Sequence, residues 1–421
     1  MAARFRRGSS IIVVAAWAVS AVLGPIPASA AEGDLDPGLG TGGTVVTAFP
    51  GGEASSNALA IQADGKIVVV GASAGPSNTG EFAVARYRTD GSLDPTFSKN
   101  GKLTTPIAGG EGDEARSVAI QANGRIVVAG TDSLRKFAVV RYRSNGALDP
   151  TFGGNGIVRT DMTLGDDIAY DLVIQADGKI VLVGGVGQPQ PTFGLARYRS
   201  NGALDPTFGQ RGKVFTGGGT WVARAVALQP NGRLVVAGYN KLGLAVARYR
   251  PDGRLDSSFS GDGKLDQNVS APQHAIFALD VAIQPDGRIV TAGDYDIFQV
   301  GLARITVAGR LDRTFGGDGV VRTGLGKGEQ AISGLVIQPS GKIVAAAAAG
   351  PHESSDTIVW RFVITRYRKD GTLDRTWGGD GKVRTDFPGG GWARGAAAQD
   401  DGKIVVAGGA GGGFALARYL A

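Results

Sequence analysis

The segment 66–70 reads KIVVV, so both parities of an extended chain would be apolar: Ile67 and Val69 on one side, Val68 and Val70 on the other. A strand with that pattern is buried on both faces. It sits inside a block, QADGKIVVVG from Gln62, that returns as QANGRIVVAG at Gln121, QADGKIVLVG at Gln175, QPNGRLVVAG at Gln229 and QPDGRIVTAG at Gln284. A weaker copy, QPSGKIVAAA, begins at Gln338, and QDDGKIVVAG begins at Gln399. Around each copy the pattern predicts four short strands. In the first unit these are A over 57–62, B over 66–71, C over 81–88 and D over 101–105. Asp64-Gly65 predicts a type I′ hairpin between A and B, with positive φ at both central residues. Strand D reads GKLTT, elsewhere GIVRT or GKVRT, and its polar alternation suits an outer edge. No segment keeps an apolar period of 3.6, so helix should be nearly absent.

Two further markers share the period. LDPTF starts at Leu93, Leu148 and Leu204, with variants at Leu35, Leu255, Leu311 and Leu373; ARYR or a relative of it closes each strand C. Seven four-stranded units, buried on both faces, predict an all-β chain: a seven-bladed β-propeller with four antiparallel strands per blade. A β-solenoid is the alternative, but its coils use shorter periods and are not joined by hairpins. The last unit runs out at strand C, FALARYLA, whereas a spare strand D, GTVVTAF from Gly43, precedes the first strand A. The N-terminal strand should therefore complete the last blade, which removes two open sheet edges.

The blade layout resembles that of WD40 repeats, which carry an SPDGK turn between their inner strands. LDPTFGGNG, QADGKIVVVG and FAVARYR together resemble more closely the delta-60 repeat, a bacterial repeat family of about this period. The resemblance spans residues 35–421. It implies a propeller and carries no catalytic residues over.

Glycine is abundant, 69 of 421 residues, without the period of collagen, and cysteine is absent, so no disulfide or thiolate metal site is available. Residues 1–30 read as a cleavable secretory signal: Arg4, Arg6 and Arg7, an apolar stretch from Ile11 to Leu23 too short to span a bilayer, and a small-x-small site ending at Ala30. The expected product is a secreted propeller domain, residues 31–421, with no membrane span. The leader holds three of the 44 basic residues, so 41 face 38 acids in the remainder. No basic run with interleaved aromatics points to nucleic acid.

One Arg and one Asp recur in every unit: Arg86, Arg141, Arg197, Arg248, Arg304, Arg366 and Arg418, with Asp36, Asp94, Asp149, Asp205, Asp256, Asp312 and Asp374. A residue needed seven times serves the blade. Asp is expected to hold the C–D turn through backbone N–H groups, and Arg to pair with it or with a neighbouring blade.

Alternation of strand direction places the A–B and C–D turns on one face of the ring and the B–C and D–A loops on the other. The first set is nearly uniform and the second differs in every blade, so the variable-loop face is where a binding site is expected. Its candidates are Trp221, Tyr239, Tyr295 and Trp392 for stacking, and the two histidines, His274 and His352. Loop acids there include Glu111, Asp113, Glu114, Asp166, Asp167, Asp294, Asp296 and Glu353, which would bind Ca²⁺ or act as a glycosidase pair only by converging. GASAG at Gly71 matches G-x-S-x-G, but no helix follows, so Ser73 reads as a loop serine. Three readings follow. The first is a binding module for a protein or glycan, with no cofactor. The second is an exported propeller enzyme: a polysaccharide lyase, a glycosidase or a quinone-dependent sugar dehydrogenase. The third is a structural spacer.

Overall fold

The computed structural model describes residues 31–74, 80–109, 112–187, 189–218, 220–266, 276–296, 299–326, 328–350 and 359–421. The predicted leader and its cleavage site lie outside the described residues. The fold is seven four-stranded antiparallel sheets, each in the order A-B-C-D, and the described residues contain no helix. Among the described residues no helix is therefore long and apolar enough to cross a membrane. Blade 1 consists of Ala54–Ile61, Ile67–Ser73, Glu81–Tyr87 and Lys102–Thr105. In blade 7, Gly391–Ala398, Ile404–Ala410 and Gly413–Tyr419 are joined by Thr44–Thr47 as strand D. Thr44 pairs with Ala417 and Thr47 with Phe414, closing the ring as the spare strand predicts.

Both faces of strand B are used. Ile67 and Val69 pack with Val405, Ala407 and Leu416 of blade 7, while Val68 and Val70 pack with Ile126, Val128 and Val140 of blade 2. All four are fully buried, each such side chain contributing about 1.5–3 kcal/mol relative to exposure. Strand B of blade 6, the alanine-rich Ile343–Ala349, is buried along its whole length too.

The A–B turn differs from the expected type I′. Gly65 has φ 77° and Asp64 is not left-handed. Gly65 N–H donates to Gln62 O at 2.8 Å and Gln62 N–H to Lys66 O at 2.8 Å. Three residues, 63–65, thus form the loop: a type I turn whose last residue, Gly65, occupies the left-handed position, a geometry that requires positive φ only once. Asp64 instead accepts the Lys66 N–H. Strand A also starts earlier than expected, at Ala54, because pairing with strand B continues through a β-bulge that the polar run SSN does not advertise.

The bulge recurs in all seven strands A, between Ser56/Ala58, Ala115/Ser117, Ala169/Asp171, Ala223/Ala225, Ala278/Asp280, Ile332/Gly334 and Ala393/Gly395. It presses the strand A backbone onto the strand B glycine opposite. A Cβ at Gly71 would lie 2.0 Å from Ser55 O, and one at Gly238 would lie 1.9 Å from Val222 O. In those blades a glycine clears that carbonyl where a Cβ would clash, which explains the G that ends VVVG and VVAG. Blade 6 carries Ala347 there, opposite Ile332.

Candidate binding site at the channel mouth

The repeated charges of the uniform face are paired with one another. In each blade the repeated Arg pairs with the repeated Asp, through Nε to Oδ2 at 2.7–2.9 Å in six blades and Arg197 Nη2 to Asp205 Oδ2 at 3.0 Å in the seventh. Asp205 Oδ1 accepts the N–H and hydroxyl of Thr207, holding the turn. The Lys or Arg of the A–B turn adds a second cation, as Lys342 does to Asp374 at 2.8 Å and Arg233 to Asp256 at 2.7 Å. Burial pushes the Asp205 carboxyl up, but the Thr207 hydrogen bonds and the charges of Arg197 and Lys179 outweigh it and hold it at about 2. The same arginines cross to the next blade: Arg86 Nη1 donates to Ser144 O at 2.5 Å and Arg141 Nη1 to Ser200 O at 2.6 Å. Their guanidiniums also lie over the aromatic ring of LDPTF, 4.9 Å from Phe97 and 4.7 Å from Phe152. A cleft of about 440 Å³ between blades 5 and 6 on this face is lined by members of the same repeat, Gln284, Asp286, Arg288 and Arg304 among them. These groups are committed to the frame.

The inner strands behave differently. They meet around the axis: Asn57 Nδ2 of blade 1 donates to Ala115 O of blade 2, and Ser117 Oγ donates to Asp171 Oδ1 of blade 3 at 2.6 Å. Each bulge adds one residue, in blade order Asn57, Arg116, Tyr170, Arg224, Leu279, Ser333 and Arg394. The residues before them are buried, whereas these seven keep solvent exposure. They therefore look into the channel, on the side of the variable loops.

Three arginines and a tyrosine gather there. Arg116 stands 5.1 Å and Arg224 3.9 Å from the Tyr170 ring centroid, one from each neighbouring blade. Each such contact is worth roughly 0.5–2 kcal/mol. Arg116 Nη2 meets Glu114 Oε2 at 2.5 Å, and Glu114 Oε1 accepts Asn57 Nδ2 at 2.9 Å. Arg394, from blade 7, is exposed to solvent yet walled by protein. That burial depresses its guanidinium; the Glu114 charge works against the depression, while Arg116 and Arg224 add to it. Among the described residues neither Arg224 nor Arg394 has an ion-pair partner.

Deeper in the channel, the position after the bulge is Asp171 in blade 3 and Asp280 in blade 5. Asp171 Oδ2 accepts the Val226 N–H at 2.8 Å, and Asp280 Oδ2 accepts the Leu335 N–H at 2.7 Å, so each staples its blade to the next. Burial pushes Asp171 up to about 6 against the hydrogen bonds that favour its charge. Burial, and then the charge of Asp171, push Asp280 up to about 7.

The residues singled out in the sequence fare unevenly. Trp221 is buried, edge-on to Phe193 at 5.1 Å, and belongs to the packing between blades 3 and 4. Tyr239 is half-buried at the channel mouth, close enough to feel Arg224 and Tyr170, and edge-on to Phe277 at 5.3 Å. Tyr295 lies under Arg322, whose guanidinium is 5.1 Å from the ring. Trp392 is 39% exposed, its Nε1 donating to Ser55 Oγ at 3.3 Å. His274, His352, Glu111 and Glu353 lie outside the described residues. Asp113 and Asp167 are buried loop-holders: Asp113 accepts the Ile107 and Ser133 N–H groups, and Asp167 those of Met162 and Thr163. Asp294 accepts the Ile332 N–H at 3.1 Å; burial raises its carboxyl, and Arg224 pulls it back. Among the described residues no three acids or histidines are grouped to hold a metal ion. Ser73 ends strand B, buried, with its Oγ donating to Pro50 O, and is not a loop serine.

The bulge residues escaped the sequence reading. Their signal is one position inside strand A that varies freely, N, R, Y, R, L, S and R, directly after a residue that is Ala in five of the seven units. A solvent-lined position in an otherwise buried strand looks like that, but only the bulge shows where the side chain goes.

Comparison with known proteins bears on the fold. Residues 62–97, 121–152, 175–208, 229–259, 284–315 and 399–421 match the family described as "domain of unknown function (DUF5122) beta-propeller". Each of the first five segments runs from the Gln of one repeat to the Phe that ends LDPTF or its variant. No curated protein matches the chain. Among solved structures, a catalytically inactive virginiamycin B lyase from Staphylococcus aureus aligns at TM-score 0.54 and 10% identity, over 90% of this chain and 99% of that one. An ulvan lyase aligns at 0.48 and 11%, over 89% and 96%. A PQQ-bound aldose sugar dehydrogenase from Streptomyces coelicolor aligns at 0.44 and 12%, over 81% and 97%. Identities this low speak to the fold alone. The chain is a β-propeller repeat protein, similar over six of its segments to that family of undefined function.

Proposed function

We propose that the chain is an exported binding module that engages a glycan or a protein with its variable-loop face, at the mouth of the central channel. One observation carries this reading. The uniform face spends its charges on the frame, whereas the opposite mouth holds Arg394, Trp392 and Phe277 exposed and Arg224 half-buried on the inner strands, and neither arginine has an ion-pair partner among the described residues. Side chains held on strands are pre-organised and lose little freedom on binding.

The test is a melting screen of residues 31–421 with soluble cell-wall and plant polysaccharides. A ligand at a hundred times its Kd stabilises by about 2.7 kcal/mol, enough to raise Tm by several degrees. The expected result is a shift with at least one polymer that Trp392→Ala removes. A shift untouched by Trp392→Ala and Phe277→Ala would put the site elsewhere.

A second reading, a lyase, is favoured by Tyr170 lying between Arg116 and Arg224, since elimination beside a sugar carboxylate needs a proton acceptor and cations together. It requires an unsaturated product absorbing in the ultraviolet. The binding module requires none.

A further inference from the structure

We infer that the ligand of the channel mouth is a carboxylate-bearing glycan, a polymer of uronate type. This rests on the binding reading above and adds the chemical class.

The charge balance at the mouth points to an anion. Arg116 is compensated by Glu114, which is itself held by Asn57. Arg224 and Arg394 have no such partner among the described residues. Arg394 feels the Glu114 charge in its favour and those of Arg116 and Arg224 against it, so a single carboxylate serves this group of arginines. The other carboxylates facing the channel do not resolve this. Asp294, Asp171 and Asp280 each accept a backbone N–H from a neighbouring blade, and all three are shifted toward their neutral forms. Arg224 and Arg394 are both bulge residues of inner strands, and a ligand anion would supply the counter-charge that the described residues do not. Guanidinium presents paired donors that match a carboxylate.

The rim supplies the second half of the argument. Trp392 of blade 7 and Phe277 of blade 5 are 39% and 40% exposed at equivalent positions of their strands A, with Tyr239 beside Phe277. Flat apolar faces beside cations suit a molecule with both a C–H face and a negative charge. A free phosphate would leave the rings unused, and a neutral glycan would leave the arginines unused.

The experiment is calorimetric titration of residues 31–421 at about 50 mM salt with an oligogalacturonate, its methyl ester and inorganic phosphate. The ester keeps the sugar backbone and removes the charge. The acid form is expected to bind, the ester at least tenfold more weakly, and phosphate not measurably. Arg224→Gln and Arg394→Gln should each lower affinity about tenfold, equivalent to about 1.4 kcal/mol, with the Tm of Arg394→Gln not reduced. Equal binding of acid and ester, with affinity lost in Trp392→Ala, would overturn the anionic class and leave the site standing. Tight binding of phosphate alone would overturn the glycan. If no glycan binds and neither arginine nor aromatic variants change any melting shift, both the class and the site fall.

Discussion

Arg418 and Asp36 are 382 residues apart in the chain, and their Nε and Oδ2 atoms lie 2.7 Å apart in space. The same guanidinium donates to Thr89 O of blade 1 at 2.6 Å, and Lys403 adds a second cation to Asp36 at 3.1 Å. One repeated pair, standard in the other blades, thereby becomes the joint of the ring. Beside it, Arg366 reaches Glu32 of the N-terminal segment, where other blades offer a backbone carbonyl.

Breaking this joint on one side leaves a buried charge without its partner. Arg418→Ala and Asp36→Ala should each cost about 3–5 kcal/mol, as should Arg248→Ala within blade 4. Urea unfolding checks this. Variants that unfold like the parent would remove the pair from the account of stability.

Stability should fall as pH rises from about 4 to 8. The carboxyls of Asp171 and Asp280 lie near 6 and 7 in the folded chain, above their unfolded values, so the folded state binds more protons in that window. Their protonation favours folding below the unfolded value and is lost as pH passes the folded one. Asp205 and its equivalents are shifted the other way, and their contribution disappears below about pH 4. Asp280→Asn should flatten the upper limb of a Tm-versus-pH curve and leave the acid limb in place. A parent-like upper limb would contradict the assignment.

Gly238→Ala should destabilise by at least about 1–3 kcal/mol, because the added Cβ would meet Val222 O at 1.9 Å and backbone must move. Ala347→Gly in blade 6, where a Cβ is already accommodated, should change stability by no more than about 1 kcal/mol. Equal effects in the two blades would argue against the bulge as the cause.

Arg394→Gln should raise Tm at low salt, since burial, with Arg116 and Arg224, disfavours that charge by more than Glu114 favours it. Added salt should shrink the difference by screening it. A loss of Tm would mean that Arg394 packs structurally.

The sequence by itself determined the repeat and most of its consequences: the blade count, strands B buried on both sides, closure by Thr44–Thr47, and the glycine turns. These follow from local alternation and from residues that every unit must satisfy alone, so seven copies display the same constraint. The recurring Arg and Asp were legible for that reason, although the crossing of Arg86 to Ser144 needed two blades side by side. The channel mouth is different in kind. Arg116, Tyr170, Arg224 and Arg394 come from four blades, and nothing local relates them. They meet because seven inner strands converge on one axis and a bulge turns one extra residue of each toward it. The tertiary structure also sorted the aromatics. Trp221 and Trp392 stand near the same end of strand A in blades 4 and 7, yet packing on Phe193 buries the first while the second stays at the rim. Composition cannot separate the two, because a ring buried between blades and a ring offered to a ligand are the same residue until the neighbours are in place.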